Sequence, residues 1–319
     1  MSVYTSVEFD EFERLLRSYS IGGLVDLTGI SDGIENTNYF VTTTCGKFVL
    51  TLFEVVPRAD LPYFLELMAF LAEHGVPSAH PIANGDGQYL QELCGKPAVL
   101  VQRLDGASLN NPSVRHCSVI GAMLAHMHLV GAAFKDHREN DRGPVWWQKV
   151  VSQVSPRLDA ASIALVNDEI RFQARHQSTA LPAGVIHADL FRDNALFVGD
   201  KLTGVIDFYY ACNDAYLYDL AVTVNDWCSL PDGDLDMAKL TALTGAYQEQ
   251  RAVTAEEREM WPAMLRAAAL RFWLSRLQDQ HFPRAGEITH TKDPEVFKRI
   301  LQRRIAGENQ IRRLWDAGA

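Results

Sequence analysis

The sequence predicts an α+β fold in which a small, mostly antiparallel sheet is followed by a larger, mainly helical region. Three observations carry that prediction. Short β-branched and aromatic runs (Leu24 to Thr28, Tyr39 to Thr43, Phe48 to Phe53, Gln88 to Glu92, Ala98 to Gln102) crowd the N-terminal part. From Val114 onward apolar residues recur at helical spacing, as at Val119, Met123, Leu124, Met127 and Val130. The helical region is interrupted by a short hairpin: Ala195 to Val198, a Gly199-Asp200-Lys201 turn, and a return through Thr203 to Ile206.

Each element has a local cause. Thr5-Ser6-Val7-Glu8 reads as a capping box that opens a helix with Phe9, Phe12, Leu16 and Tyr19 on its apolar side. Gly29 to Asn38 separates the first two strands. Its glycine, serine and asparagine content suits a plain hairpin turn, or a loop whose backbone N–H groups approach phosphate, with Gly33 and Asn36 as candidate nucleotide contacts. A helix from Arg58 to His74 closes at Gly75. Gln102-Arg103-Leu104-Asp105-Gly106 then leaves the sheet as a linker, which divides the chain into residues 1–104 and 105–319. Beyond it, helices are predicted over Val114 to Val130, Asp168 to Gln177 and Met264 to Leu277. Pro144-Val145-Trp146-Trp147 starts a helix or forms a packed loop. His126 and His128, two apart on a helix, point about 200° from each other and do not suit a shared metal ion. Asp293-Pro294 is a helix start, and that helix is expected to run to Trp315, with the basic residues at 298, 299, 303, 304, 312 and 313 forming a solvated face.

The chemistry concentrates in His187-Ala188-Asp189-Leu190-Phe191-Arg192-Asp193-Asn194 and, across the hairpin, Ile206-Asp207-Phe208. A hairpin of that length brings Asn194 and Asp207 together. One amide and one carboxylate suffice for Mg²⁺, which takes few protein oxygens and keeps phosphate or water oxygens. Asp189, on the same loop, is placed to accept the proton of an attacking hydroxyl. His187 reads as a structural residue that pins the loop. Together these groups equip a site for moving a phosphoryl group from ATP to an alcohol. The bland reading, an acidic loop with Asp and Asn chosen for turn chemistry, explains each residue singly but not the combination.

Composition narrows the setting. With 319 residues, 47% of them hydrophobic, the chain is long enough for two lobes. A net charge of −10 argues against nucleic acid or an anionic membrane as partner. Five scattered cysteines without C-x-x-C spacing point to reduced thiols and a cytoplasmic setting. The acidic N-terminal segment does not suit a signal peptide, and no apolar run is long enough to cross a bilayer. Oligomeric state is not fixed by the sequence.

H-A-D-L-F-R-D-N followed by G-V-I-D-F resembles the Brenner motif of the aminoglycoside phosphotransferase and choline kinase family. F-V-L-T-L-F-E (48 to 54), V-I-H-A-D-L-F-R-D-N (185 to 194), Y-D-L-A-V-T-V-N-D-W-C (218 to 228) and L-R-F-W-L-S-R-L (270 to 277) resemble its bacterial homoserine kinase branch. The resemblance implies a bilobal protein-kinase-like fold, with a nucleotide-binding N-lobe and a helical C-lobe for catalysis and substrate. It also implies ATP and Mg²⁺ as cofactors and a hinge at Gln102 and Leu104 whose backbone meets adenine. The implied acceptor is L-homoserine, phosphorylated to O-phospho-L-homoserine in threonine biosynthesis. An aminoglycoside, choline or another small amino alcohol remains an alternative acceptor. A nucleotide binder without transfer activity and a metal-dependent hydrolase are the other classes.

One part of the kinase pattern is broken. Protein kinases place a lysine on the third strand to hold the α- and β-phosphates; the aligned residue here is Thr51. Lys47 shares its face but lies about 13 Å away at roughly 3.3 Å per residue, and Glu66 is a weak candidate for the paired glutamate. A zwitterionic acceptor needs a cation for its carboxylate, for which Arg192, Arg271 and Arg276 are candidates. For its ammonium, Asp226, Asn225 and Asp214 are candidates. Arg271 and Arg276 have a structural alternative in pairing with Asp219 or Asp279, and Asp219 one in stabilising the catalytic loop.

Overall fold

The computed structural model describes residues 4–30, 36–176, 178–283 and 292–318, with side chains to residue 315. It divides into two compact units, one holding the described residues to Gly106 together with Thr203–Ile206, the other holding the rest.

In the first unit, helix α1 (Phe9–Leu16) precedes strands β1 (Leu24–Gly29), β2 (Asn36–Thr43) and β3 (Gly46–Phe53), helix α2 (Leu61–Glu73), and strands β4 (Gln91–Leu93) and β5 (Lys96–Gln102). The strands make one antiparallel sheet in the order β1-β2-β3-β5-β4. Strand alternation sends Tyr39, Val41, Phe48, Leu50, Leu52, Ala98 and Leu100 to one face, where Phe12 and Leu16 of α1 bury against them. The opposite parity carries Asn38, Thr51 and Val99, which lie in register across the three central strands.

The expected capping box at Thr5 is absent. Helix α1 begins at Phe9 behind Glu8, without a side-chain cap. The Thr5 hydroxyl instead donates to Glu54 (2.6 Å), which also accepts from Thr37 (2.8 Å) and pairs with Lys96 (3.1 Å). A partly buried carboxylate offers that hydroxyl a charge-assisted bond, stronger than an N–H at a helix end.

The second unit is mainly helical. It contains α3 (Val114–Gly131), α4 (Pro144–Val154), α5 (Ala160–Arg175), strands β6 (Ala183–Ile186), β7 (Ala195–Val198), the first two residues of β8 (Lys201–Val205), whose remainder is counted with the first unit, and β9 (Cys212–Ala215), then α6 (Tyr216–Trp227), α7 (Met237–Gln250), α8 (Ala255–His281), α9 (Pro294–Ala306) and α10 (Glu308–Arg312). β6 pairs with β9 and β7 with β8. Helix α8 starts at a Thr254–Glu257 capping box and is buried almost continuously from Leu265 to Leu274. Helices α3 and α7 approach closely at Gly121, where a Cβ would meet the carbonyl oxygen of Leu243 at 2.1 Å.

Two helical expectations need correction. The C-terminal helix breaks at Gly307, with α10 as a separate short turn. Arg304 is not on a solvated face: it is 1% exposed and donates to Asn225 (2.9 Å), Gly233 O (3.0 Å) and Ser229 (2.7 Å). Its alternation with Ile300 and Leu301 on the buried stripe of α9 carries it inward. Among the described residues, no helix is long and apolar enough to cross a membrane.

Candidate active site

The loop between β6 and β7 is folded around a buried carboxylate. Ala188 adopts a left-handed backbone (φ 62°), unfavourable by about 1–2 kcal/mol for a residue with a Cβ. Asp219, at the start of α6, offsets that strain. Its two oxygens accept the backbone N–H groups of His187 and Ala188, each at 2.8 Å. Asp219 is fully buried, and His128 Nε2 adds a third bond at 3.1 Å. Burial alone would raise the Asp219 carboxyl, but these hydrogen bonds hold it below the ordinary carboxylate range. His128 in turn meets the Tyr247 hydroxyl through Nδ1 (2.8 Å), a partner from α7 that the sequence did not suggest.

His187 is fully buried, its ring packed on Phe208 with centroids 4.6 Å apart. Its Nδ1 accepts the Asp189 backbone N–H at 3.3 Å, which puts the ring proton on Nε2. The side chain therefore orients Asp189. Asp189 itself is 15% exposed, and burial pushes its carboxyl up to about 8. Arg271, with Nη1 3.6 Å from Asp189 Oδ1, opposes that shift, while the charge of Asp207 adds to it. The mutual influence of Asp189 and Asp207 places two carboxylates in one electrostatic neighbourhood, and a divalent cation there would lower both.

Asn194 donates from Nδ2 to the Asp189 backbone oxygen (2.8 Å) and to Asp189 Oδ2 (3.2 Å). Both bonds engage the nitrogen, so the amide oxygen projects away from Asp189. Asp207 is exposed and also takes a left-handed backbone, φ 65°. Among the described residues, no cluster of three His, Cys, Asp or Glu side chains is placed to hold a metal ion. An amide oxygen and a carboxylate fit a hard cation that completes its shell with phosphate and water oxygens.

The remaining site residues distribute as follows. Arg192 and Asp226 meet each other: Arg192 donates from its backbone N–H (2.8 Å), Nε (3.0 Å) and Nη2 (3.4 Å) to the Asp226 carboxylate, and from Nη1 to Asn110 O (3.0 Å). Arg276 donates to Asp293 O (2.9 Å) and lies over Phe297. Arg271 is 3% exposed, with its guanidinium over Phe272 (3.7 Å) and Tyr210 (4.8 Å). Asn225 is fully buried, its amide spent on Leu265 O and Arg304. Asp214 accepts from Asn140 at 2.6 Å. One cation that sequence reasoning passed over is Arg142, beside Tyr210 at 5.5 Å and Trp146 at 5.0 Å. The signal available was its place directly before Gly143-Pro144, which begins α4 with Trp146 one turn on.

In the first unit, Thr51 is 5% exposed and its hydroxyl donates to Asn38 Oδ1 at 2.7 Å. Asn38 Nδ2 reaches the Asn36 carbonyl at 3.4 Å. Asn36 is 8% exposed, and its Oδ1 is buried without a hydrogen bond among the described residues. Gln102 ends β5, its N–H donating to His80 O (2.9 Å), and Leu104 is half-buried two residues later. Lys47 and Glu66 are exposed. Gly33 lies outside the described residues.

Residues 26–258 match the phosphotransferase enzyme family. The chain is 52% identical over 315 residues to a homoserine kinase of Methylobacillus flagellatus, covering 99% of both chains. It is 46% identical to a homoserine kinase of Neisseria meningitidis serogroup B, covering 94% of this chain and 99% of that one. Among solved structures, an amicoumacin kinase in complex with AMP-PNP, Ca²⁺ and amicoumacin superposes with a TM-score of 0.68 at 12% identity, covering 95% and 94% of the two chains. That likeness is one of fold, the protein-kinase-like fold of such phosphotransferases.

Proposed function

We propose that this chain, which belongs to the phosphotransferase enzyme family, transfers the γ-phosphoryl group of ATP to the hydroxyl of L-homoserine. The products are O-phospho-L-homoserine and ADP. The observation that carries the acceptor is the near-full-length likeness to homoserine kinases, at 52% and 46% identity. The geometry of the loop supports the chemistry.

Asp189 is the catalytic base. Held by His187, Asn194 and Arg271, it orients the acceptor hydroxyl and takes its proton as the oxygen attacks the γ-phosphorus in line. The bond from the γ-phosphorus to its bridging oxygen breaks, and the leaving oxygen departs with ADP. Asn194 and Asp207 are the metal ligands, and Mg²⁺ held there would neutralise charge on the phosphate oxygens. Asp219 fixes the loop in its left-handed turn before substrate arrives, a preorganisation that carries much of the electrostatic work. Arg271 stands at the acceptor end of Asp189. Arg192, Asp226 and Arg276 serve it indirectly, by bracing the loop and its surroundings.

We assign nucleotide binding to residues 1–104, with Asn36, Gln102 and Leu104 as contacts, and catalysis and acceptor binding to residues 105–319. The five unbridged cysteines support a cytoplasmic setting.

The test is ADP release with MgATP against L-homoserine, an aminoglycoside, choline and no acceptor. Magnesium-dependent turnover with homoserine alone is expected. Turnover with another alcohol would keep the chemistry and replace the acceptor. ATP consumption without any acceptor would indicate a hydrolase, and ATP binding without ADP would indicate a non-catalytic binder.

A further inference from the structure

The cations around the catalytic loop are, for the most part, already engaged. Arg192 is committed to Asp226 and Asn110, Arg276 to the Asp293 carbonyl, and Arg304 to three acceptors in the core. Arg271 faces Asp189, where the acceptor hydroxyl must lie. Arg142 differs from all of them. Its Nε is buried yet makes no hydrogen bond with a described residue, and its charged neighbour, Asp141, is 3.6 Å away. Leaving a buried donor of a charged group without a hydrogen bond is costly even beside a carboxylate at 3.6 Å, so a position that tolerates one invites a ligand.

We propose that Arg142 binds the carboxylate of the acceptor and thereby selects an amino acid over a carboxylate-free amino alcohol, an inference that rests on the phosphotransfer reading above. Four features of the second unit carry it. Arg142 borders a cavity of about 340 Å³, within the usual range of small-molecule sites of about 300–1,000 Å³. That cavity is lined by two cations, Arg142 and Lys149, and by two carboxylates, Asp141 and Asp279. The balance suits a small zwitterion; a polycation would call for an excess of acid. The guanidinium lies over the rings of Trp146 and Tyr210, at 5.0 and 5.5 Å, packing that restricts the fork a two-pronged grip on a carboxylate needs.

The fourth feature joins the two ends of the acceptor. Tyr210 neighbours both guanidiniums, with its ring centroid 5.5 Å from Arg142 and 4.8 Å from Arg271, and Arg271 leads to Asp189. The cation assigned to the carboxylate and the cation beside Asp189 thus share one aromatic neighbour. The backbone of Arg142 is fixed as well: its N–H donates to Asn140 Oδ1 (2.8 Å), and Asn140 is tied to Asp214 (2.6 Å). The acidic residue Asp214 is accordingly a brace for this corner, through Asn140.

The experiment compares wild type with Arg142→Met and Arg142→Lys. It measures kcat and KM for L-homoserine and for 3-aminopropan-1-ol, which is homoserine without its carboxylate. It also measures KM for MgATP and ATP hydrolysis without acceptor. The methionine variant should lose roughly 30- to 1,000-fold in kcat/KM for homoserine, mainly through KM. The lysine variant should fall between. The rate with 3-aminopropan-1-ol, the MgATP KM and acceptor-free hydrolysis should stay within about threefold of wild type. An unchanged homoserine KM would overturn the proposal. So would a parallel loss of MgATP binding and of the carboxylate-free reaction, which would make Arg142 a packing residue. A wild-type enzyme inactive on homoserine would reject the acceptor reading first and this proposal with it.

Discussion

The catalytic loop and the centre of β3 are both places where kinases concentrate charge, and in this chain only the first does so. Around Asp189 lie Asp193, Asp207, Arg271 and the Arg192–Asp226 pair, with Asp219 buried beneath. At the corresponding point of β3, a hydroxyl and an amide face each other, Thr51 on Asn38. Charge is kept where, in the proposed reaction, a proton and a cation are handled. On the strand, where the usual lysine holds phosphates already bridged by metal, neutral groups stand in its place. Under the proposed function, the difference implies that the two tasks are separable: chemistry demands specific ionisable groups, while phosphate holding is open to metal, backbone and amides.

The strongest way to break this comparison is to remove the proposed base. Asp189→Asn keeps the shape and the Asn194 contact but cannot take a proton, and kcat should fall on the order of 10²–10⁴ with the MgATP KM little changed. Full turnover by that variant would strip Asp189 of its role and leave the charged loop without a function. Next in size is Asp219→Ala, which orphans the N–H groups of His187 and Ala188 and the His128 ring. A loss on the order of 3–5 kcal/mol in urea unfolding is expected, with a fall in kcat as the turn relaxes. Unchanged stability would mean that the turn at Ala188 is held by something else.

The strand side is sharpened by Thr51→Val. The change keeps the β-branched shape and leaves the Asn38 oxygen without its donor, so a loss of about 1–3 kcal/mol is expected. If the neutral pair serves the nucleotide, KM for MgATP rises too, with kcat nearly intact. If stability alone drops, the pair is sheet architecture, and phosphate holding rests elsewhere.

Much of this was legible before the structure. The loop motif, the hairpin and the strand pattern are local, and local signals survive in a single sequence. What escaped was long-range competition for polar groups. Thr5 had the spacing of a cap but found Glu54 across the sheet. Arg192 and Asp226, each a sensible contact for one end of a zwitterion, sit 34 residues apart and satisfy each other. Arg304 looked solvent-facing by type, yet the packing of α9 turned it onto Asn225. Arg142 carried no signal beyond its place before the helix start at Gly143-Pro144, and it is the packing of Tyr210 and Trp146 and its buried Nε that single it out. The sequence shows which groups are present; which of them remain available depends on partners that the fold brings together.

The smallest expected effect concerns the histidine beneath the loop. His128 is fully buried between Asp219 and Tyr247, with its ring stacked on Tyr216 at 4.7 Å. Burial holds its pKa below the ordinary value, overriding Asp219, which would raise it. In the native protein the ring therefore takes up its proton at lower pH than in the unfolded chain, where it titrates at about 6.5. Below that pH the unfolded state binds a proton that the native state does not, so stability falls as pH drops toward the folded pKa. At pH 5 this contribution is at most about 2 kcal/mol. His128→Gln keeps an N–H for Asp219 and cannot titrate. Its melting temperature should therefore fall less than that of wild type between pH 7 and pH 5. Parallel curves would mean that His128 already carries its proton in the folded state. The carboxylate holding the catalytic turn would then be one half of a buried ion pair, and the charged side of the comparison would extend one layer deeper into the core.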